Sequence, residues 1–129
     1  MTDDPEEMAI RDLVERYCDA ARRGDVAAFA ACWAPEGRWT GPGLDREGIP
    51  TITSAFEKMR ARVVSADQQI VTGSVTIDAD GNHAAGSWEI REHIVGSDGA
   101  ERDTFGRYDD EYVRVSGDWR ILRRNFTPS

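Results

Sequence analysis
Apolar residues recur at intervals of three and four through the start of the chain, where Ile10, Leu13, Val14, Tyr17 and Ala21 fall on one stripe within residues 5–23. That spacing predicts an amphipathic helix, with Asp3 or Asp4 as its cap and acidic side chains in its first turn. Gly24 ends it, and Asp25 caps a second, shorter helix in which Val26, Phe29, Ala30 and Trp33 share a face. Pro35 and Gly37 then interrupt the chain, Arg38–Gly41 reads as a short strand, and the stretch GPGLDREGIP reads as a loop. Helical spacing returns over residues 51–63 with Ile52, Ala55, Phe56, Met59 and Val63.

From residue 67 the period drops to two. Val71, Val75 and Ile77 alternate with Thr72, Ser74 and Thr76, and DADGN at 78–82 forms a turn. A second strand runs from Ala84 to Val95, a third over about 101–115, and a fourth over Trp119–Phe126, with SDG and SGD as the turns between them. Helices first and an antiparallel meander afterwards predict a single α+β domain over residues 1–129, with the helices packed on one face of a strongly curved sheet.

Two strands carry mixed faces. Gly106, Tyr108, Asp110, Tyr112 and Arg114 point one way, and Phe105, Arg107, Asp109, Glu111, Val113 and Val115 the other. A sheet with water on its back would separate the classes cleanly, so both faces are expected to be partly covered, one by an internal cavity and the other by a partner subunit. In WEIREHIV, Glu89, Arg91 and His93 share one face while Trp88, Ile90, Glu92 and Ile94 share the other, and the pattern leaves open which of them looks inward.

Composition narrows the function. Four Trp, four Phe and three Tyr in 129 residues describe a globular domain rich in large rings. A net charge of −8 repels a phosphate backbone, which argues against nucleic acid as a partner. The first twenty residues are acidic where a signal peptide is basic and then apolar, and nothing reaches the apolar length of a membrane helix, so a cytoplasmic location away from membranes is expected. Cys18 and Cys32 are expected as reduced core thiols. No metal and no cofactor is expected: the chain has two His and no closely spaced thiols, and although Asp78, Asp80, Asn82 and Glu89 follow calcium-loop spacing, His83 sits where such a loop needs Gly.

The helical corner YCDAARRGDVAAFAACWAPEGRW and the ending RYDDEYVRVSGDWRILRRNF resemble SnoaL-like domains of the nuclear transport factor two-like superfamily, whose members include ketosteroid isomerase, scytalone dehydratase and polyketide cyclases. The resemblance covers nearly the whole chain and implies a cone-shaped barrel: a bent antiparallel or mixed sheet with three N-terminal helices closing an apolar pocket, and a homodimer through the outer sheet face. It places Tyr17 at the oxyanion-binding tyrosine of ketosteroid isomerase and Asp110 at its protonated second donor, while that enzyme's base falls on Gly41. The Asp and His of the dehydratases fall on Arg22 and on Gln68 or Gln69, which leaves His93 as the candidate base. Each role has a plainer counterpart. Tyr17 as a core tyrosine, Asp110 ion-paired with Arg114, Arg120 or Arg124, and His93 on the outside of the sheet are the alternatives.

The expected pocket lining is Trp33, Trp39, Phe56, Met59, Gln69, Val71, Trp88, Tyr108 and Trp119. The expected function is that of a small-molecule pocket protein. It would be a cofactor-independent lyase or isomerase acting on an apolar, cyclic, oxygenated compound; the alternative is a noncatalytic domain for hydrophobic-ligand binding or dimerisation. The expected partners are a small hydrophobic molecule and a second copy of the chain.

Overall fold
Asp4 opens helix α1 (Pro5–Arg23) by accepting a hydrogen bond from Glu6 N at 2.8 Å, with Pro5 in the first turn where its missing N–H costs nothing. The computed structural model describes residues 4–129, so Asp3, the other candidate cap, lies outside the described residues. Gly24 closes the helix at φ 66°, its N–H turned back to the carbonyls of Ala20 and Ala21, a left-handed conformation that glycine adopts without strain. The Arg60 guanidinium satisfies the same end, reaching Ala21 O at 3.1 Å and Arg22 O at 3.0 Å. Asp25 then caps α2 (Val26–Ala30) through Ala28 N at 3.0 Å.

Here the chain departs from its apolar pattern. The short helix ends at Ala30, and Trp33 is the first residue of a strand, β1 (Trp33–Gly41), not the last residue of a helical face. The stretch read as a loop contains β2 (Leu44–Glu47), paired antiparallel to β1 and clamped by two Arg38–Asp45 hydrogen bonds of 2.8 and 2.9 Å. Helix α3 runs Ile49–Ala61, starting two residues before the expected 51 with Pro50 in its first turn. The remaining strands are β3 (Val63–Ile77), β4 (His83–Gly96), β5 (Glu101–Val115) and β6 (Asp118–Pro128), so β3 begins four residues before the expected 67.

The six strands form one mixed sheet in the order β2-β1-β6-β5-β4-β3, with β1 and β6 parallel and every other pair antiparallel. The sheet does not close on itself; it bends into a cone, and α3 packs against β1, β2 and β3 across the open side. Each of the long strands takes part in a one-residue irregularity, at Val64 and Val71 on β3 and at Leu122 on β6, and such bulges bend a strand and raise its twist.

They also swap its faces. On β3, Gln68 and Ile70 face inward before Val71, and Val75 and Ile77 after it. On β6, Trp119 and Ile121 face inward before Leu122, and Arg124 and Phe126 after it.

The core lies between the helices and the concave face. Phe29 and Phe56 stack at 4.0 Å and 7°, and Tyr17, Trp33 and Trp39 meet Phe29 with ring centroids 4.9 to 6.2 Å apart. Burying each such side chain completely stabilises by about 1.5–3 kcal/mol. Cys18 and Cys32 are buried free thiols, and burial pushes Cys18 up to about 11. No helix among the described residues is long and apolar enough to cross a membrane.

The outer face of β5, with Phe105, Arg107, Asp109 and Glu111, is exposed in the monomer. Ion pairs explain the mixed composition of that face: Arg107 reaches Asp109 at 3.0 Å and Arg123 reaches Glu111 at 3.3 Å.

Candidate functional site
A cavity of about 390 Å3 opens between the helices and the sheet. Alternation along two neighbouring strands builds its sheet wall. From β4 come Ile90, Glu92 and Ile94, and from β5 come Arg102, Thr104, Gly106 and Tyr108, paired as Ile90↔Gly106, Glu92↔Thr104 and Ile94↔Arg102. Gly106 is required by close approach: a Cβ there would lie 2.4 Å from the ring of Phe126, which crosses it to form another part of the wall. Tyr17 enters from α1, Phe29 from α2, Trp39 from β1, and Phe56 and Met59 from α3.

Along this wall, polar groups are connected in series. Tyr108 Oη donates to Gln68 Oε1 at 3.1 Å, and Gln68 Nε2 donates to Glu92 Oε2 at 2.7 Å. Cys18 Sγ approaches the same Gln68 oxygen at 3.9 Å. Glu92 is the sole carboxylate among the described cavity residues. Burial raises the Tyr108 hydroxyl well above the usual phenol range even though the nearby Arg124 charge acts to lower it. Burial likewise raises Tyr17, with the neighbouring Tyr108 adding to the shift. Both phenols therefore remain protonated and can donate hydrogen bonds near neutral pH.

Behind the tyrosines lies a buried ion pair. Arg124 Nε and Nη2 donate to Asp110 Oδ1 and Oδ2 at 2.8 and 2.6 Å, and both side chains are fully buried. The guanidinium carbon sits 4.3 Å from the Tyr17 ring centroid and 3.9 Å from that of Tyr108. Burial acts against the charge on Arg124, but the Asp110 carboxylate outweighs it and holds the guanidinium protonated. Trp88 Nε1 donates to Tyr112 Oη at 2.7 Å, which donates to Asp110 Oδ2 at 2.5 Å. Arg124 Nη1 and Trp33 Nε1 are buried without a hydrogen-bond partner among the described residues.

This geometry sorts the candidates named from sequence. Tyr17, Trp39, Phe56, Met59 and Tyr108 lie on the cavity wall. Asp110 does not: it accepts from Arg124 and Tyr112, which is the arrangement of an ion-paired carboxylate and not that of a neutral acid donating into a pocket. His93 stands on the outer face, 2.8 Å from Asp103 and 3.0 Å from Glu101, because the inward register of β4 falls to Trp88, Ile90, Glu92 and Ile94. Gln69 and Val71 face outward, since the bulge at Val71 gives the inward position to Gln68.

Three of the tryptophans lie away from the cavity. Trp33 packs behind Phe29, Trp88 is held by Tyr112, and Trp119 donates to Glu6 Oε2 at 2.9 Å. Arg22 is exposed and bonded to Asp19 at 2.6 Å. Glu92 and Gln68 were not chosen as site residues from sequence, although a lone carboxylate in the apolar row Trp88, Ile90, Ile94 was the readable signal for Glu92.

The position of His93 has its own consequence. Hydrogen bonds to Asp103 first, then Glu101, raise the imidazole above its ordinary 6.5. A group whose pKa is raised on folding stabilises the fold fully below its unfolded pKa and loses that contribution as pH rises through the folded one. The His93 proton is expected to titrate above 6.5 by NMR, and His93→Gln to lower the melting temperature more at pH ~5.5 than at pH ~8.5. A midpoint at or below the ordinary value would contradict the bridged geometry.

A family model described as the SnoaL-like domain matches residues 5–125. Among solved structures, a nuclear transport factor 2-like superfamily protein of Salmonella enterica superposes with a TM-score of 0.90 at 16% identity, over 98% of this chain and 93% of that one. A Novosphingobium aromaticivorans protein provisionally named a scytalone dehydratase gives 0.87 at 14% identity, over 95% and 83%. LinA gives 0.86 at 17% identity, over 95% and 84%. At these identities the likeness concerns the fold. The comparison with curated proteins found no match.

Proposed function
Because the chain belongs to the SnoaL-like domain family, we propose that it is a small-molecule pocket protein acting as a cofactor-independent lyase or isomerase on an apolar, cyclic, oxygenated compound. The observation that carries this reading is the link from Glu92 through Gln68 to Tyr108 in an otherwise largely apolar cavity. It puts one carboxylate able to take a proton and one phenol able to donate a hydrogen bond on the same wall, the pairing that proton abstraction beside a carbonyl requires.

In this reading the substrate's rings lie against Phe56, Trp39 and Phe126, and the Tyr108 hydroxyl turns its single proton from Gln68 Oε1 to the substrate's carbonyl oxygen, with Tyr17 beside it. Glu92 removes a proton from the carbon next to that carbonyl, and the electron pair moves onto the oxygen as an enolate. Return of the proton at another carbon completes an isomerisation, while departure of an oxygen substituent one carbon further on, taking the C–O electron pair and the proton held by Glu92, completes an elimination. Since their pKa values are raised, the phenols stabilise the enolate by hydrogen bonding without giving up their protons.

One observation favours noncatalytic binding as the second reading. The resemblance places a dehydratase base on Gln68 or Gln69, and an amide cannot take a proton there. Incubation with a panel of cyclic hydroxyketones and enones, followed by product analysis, separates the two. Turnover that falls on the order of a hundredfold in Tyr108→Phe supports the enzyme. Ligand-dependent change in tryptophan fluorescence without product from any panel member supports the binder.

A second copy of the chain is proposed to cover the outer sheet face, where Phe105 is 53% exposed among paired charges.

A further inference from the structure
We infer that the ligand of this cavity is an organic anion, an apolar ring system carrying a carboxylate or similar group that Arg62 and Arg102 bind at the mouth. The inference rests on the pocket reading above and names the chemical class that the pocket takes.

The chain is acidic, with 24 Asp and Glu against 16 Lys and Arg. Its cavity is the reverse: three arginines, Arg60, Arg62 and Arg102, line it with the single carboxylate of Glu92. Arg60 has a structural task, since its guanidinium donates to the carbonyls of Ala21, Arg22, Val63 and Val64 and so ties α1, α3 and β3 together. The guanidiniums of Arg62 and Arg102 have no hydrogen bond or ion pair among the described residues. Elsewhere, arginines with a carboxylate in reach are paired with it, as Arg22 and Arg23 are with Asp19, Arg38 with Asp45, and Arg107 with Asp109. A helix C-terminus accounts for a cation at Arg62, which follows α3 directly, but not for one on the inward row of β5.

Register puts the two at the same end. Arg102 pairs with Ile94 on β4, and Arg62 immediately precedes Val63, which pairs with Gly96 two residues further along that strand. Tyr108 lies six residues from Arg102 on the inward row of β5, roughly 20 Å of extended strand before the reach of both side chains is subtracted. Between them the wall is Ile90, Ile94, Phe56 and Phe126, with Glu92 and Thr104 paired across the two strands one step in from Arg102. The cavity is therefore cationic at its mouth and hydroxyl-bearing at its floor, with a mostly apolar wall that carries Glu92 between them, and the complementary molecule carries its anion and its oxygenated ring at opposite ends. Two guanidiniums with free donors suit a carboxylate, whose two oxygens accept charge-assisted hydrogen bonds.

The test is equilibrium titration of tryptophan fluorescence with hydroxybiphenylcarboxylate and with its methyl ester, using the wild-type chain and Arg62→Gln/Arg102→Gln. Both arginines are exposed, and circular dichroism checks that the variant folds. The expected result is that the wild type binds the acid ~10-fold or more tightly than the ester, that added salt narrows the gap, and that the double variant binds both alike with ester affinity unchanged. Equal binding of acid and ester by the wild type, or a preference that survives in the double variant, overturns the inference and leaves the pocket reading in place. Binding of neither form overturns both.

Discussion

Arg124→Met is expected to cost about 3–5 kcal/mol of folding stability, measured by urea denaturation, because it leaves the Asp110 carboxylate buried without a counter-ion. Against a total of about 5–15 kcal/mol for a domain, that loss brings the chain close to unfolding at room temperature. The double variant Asp110→Leu/Arg124→Met should recover most of it, since removing both charges also removes the desolvation cost that each imposed. Recovery will be incomplete for two reasons: Tyr112 Oη loses its acceptor, and the rings of Tyr17 and Tyr108 lose the cation between them. A single variant that loses less than about 1 kcal/mol would mean that water reaches Asp110, and the buried pair would then not be the support beneath the cavity floor.

Glu92→Gln is expected to lower turnover on any substrate found by roughly 10²- to 10⁴-fold while leaving ligand affinity nearly unchanged. The substitution keeps the shape of the side chain, and the new amide oxygen can still accept from Gln68 Nε2, so the cavity wall keeps its hydrogen bond. It loses only the ability to hold a proton taken from carbon. Undiminished turnover would remove Glu92 from the reaction and return the weight to the noncatalytic reading.

The helices were the most legible elements. Caps at Asp4, Asp25 and Gly24 are local chemistry, and the apolar stripe of α1 reports directly which side is buried. Fold class followed from element order. The site was harder, and bulges are the physical reason. A strict period of two along β3 carries Gln69 and Val71 in phase with Val75 and Ile77, whereas one extra residue at Val71 sends Gln68 into the cavity instead. The same slip at Leu122 exchanges Arg123 for Arg124, so the arginine that anchors Asp110 lies out of phase with Trp119 and Ile121. A bulge carries no composition signal of its own in such β-rich stretches. His93 misled for a different cause: titration near neutral pH makes it the natural base on chemical grounds, but the apolar row of β4 had prior claim on the inward face. That row contained Glu92, the carboxylate that sequence reasoning passed over.

The parallel pairing of β1 with β6 has a consequence for how the molecule is made. β6 sits between β1 and β5, so the β1–β2 hairpin joins the sheet only through the final strand, with Trp39 beside Arg124 and Thr40 beside Asn125. A nascent chain that lacks β6 holds its helices and the β3–β5 meander, but no backbone pairing joins β1 to that meander. Assembly of this domain must therefore wait for synthesis of residues 118–128, and until then the chain exposes unpaired backbone to chaperones and proteases.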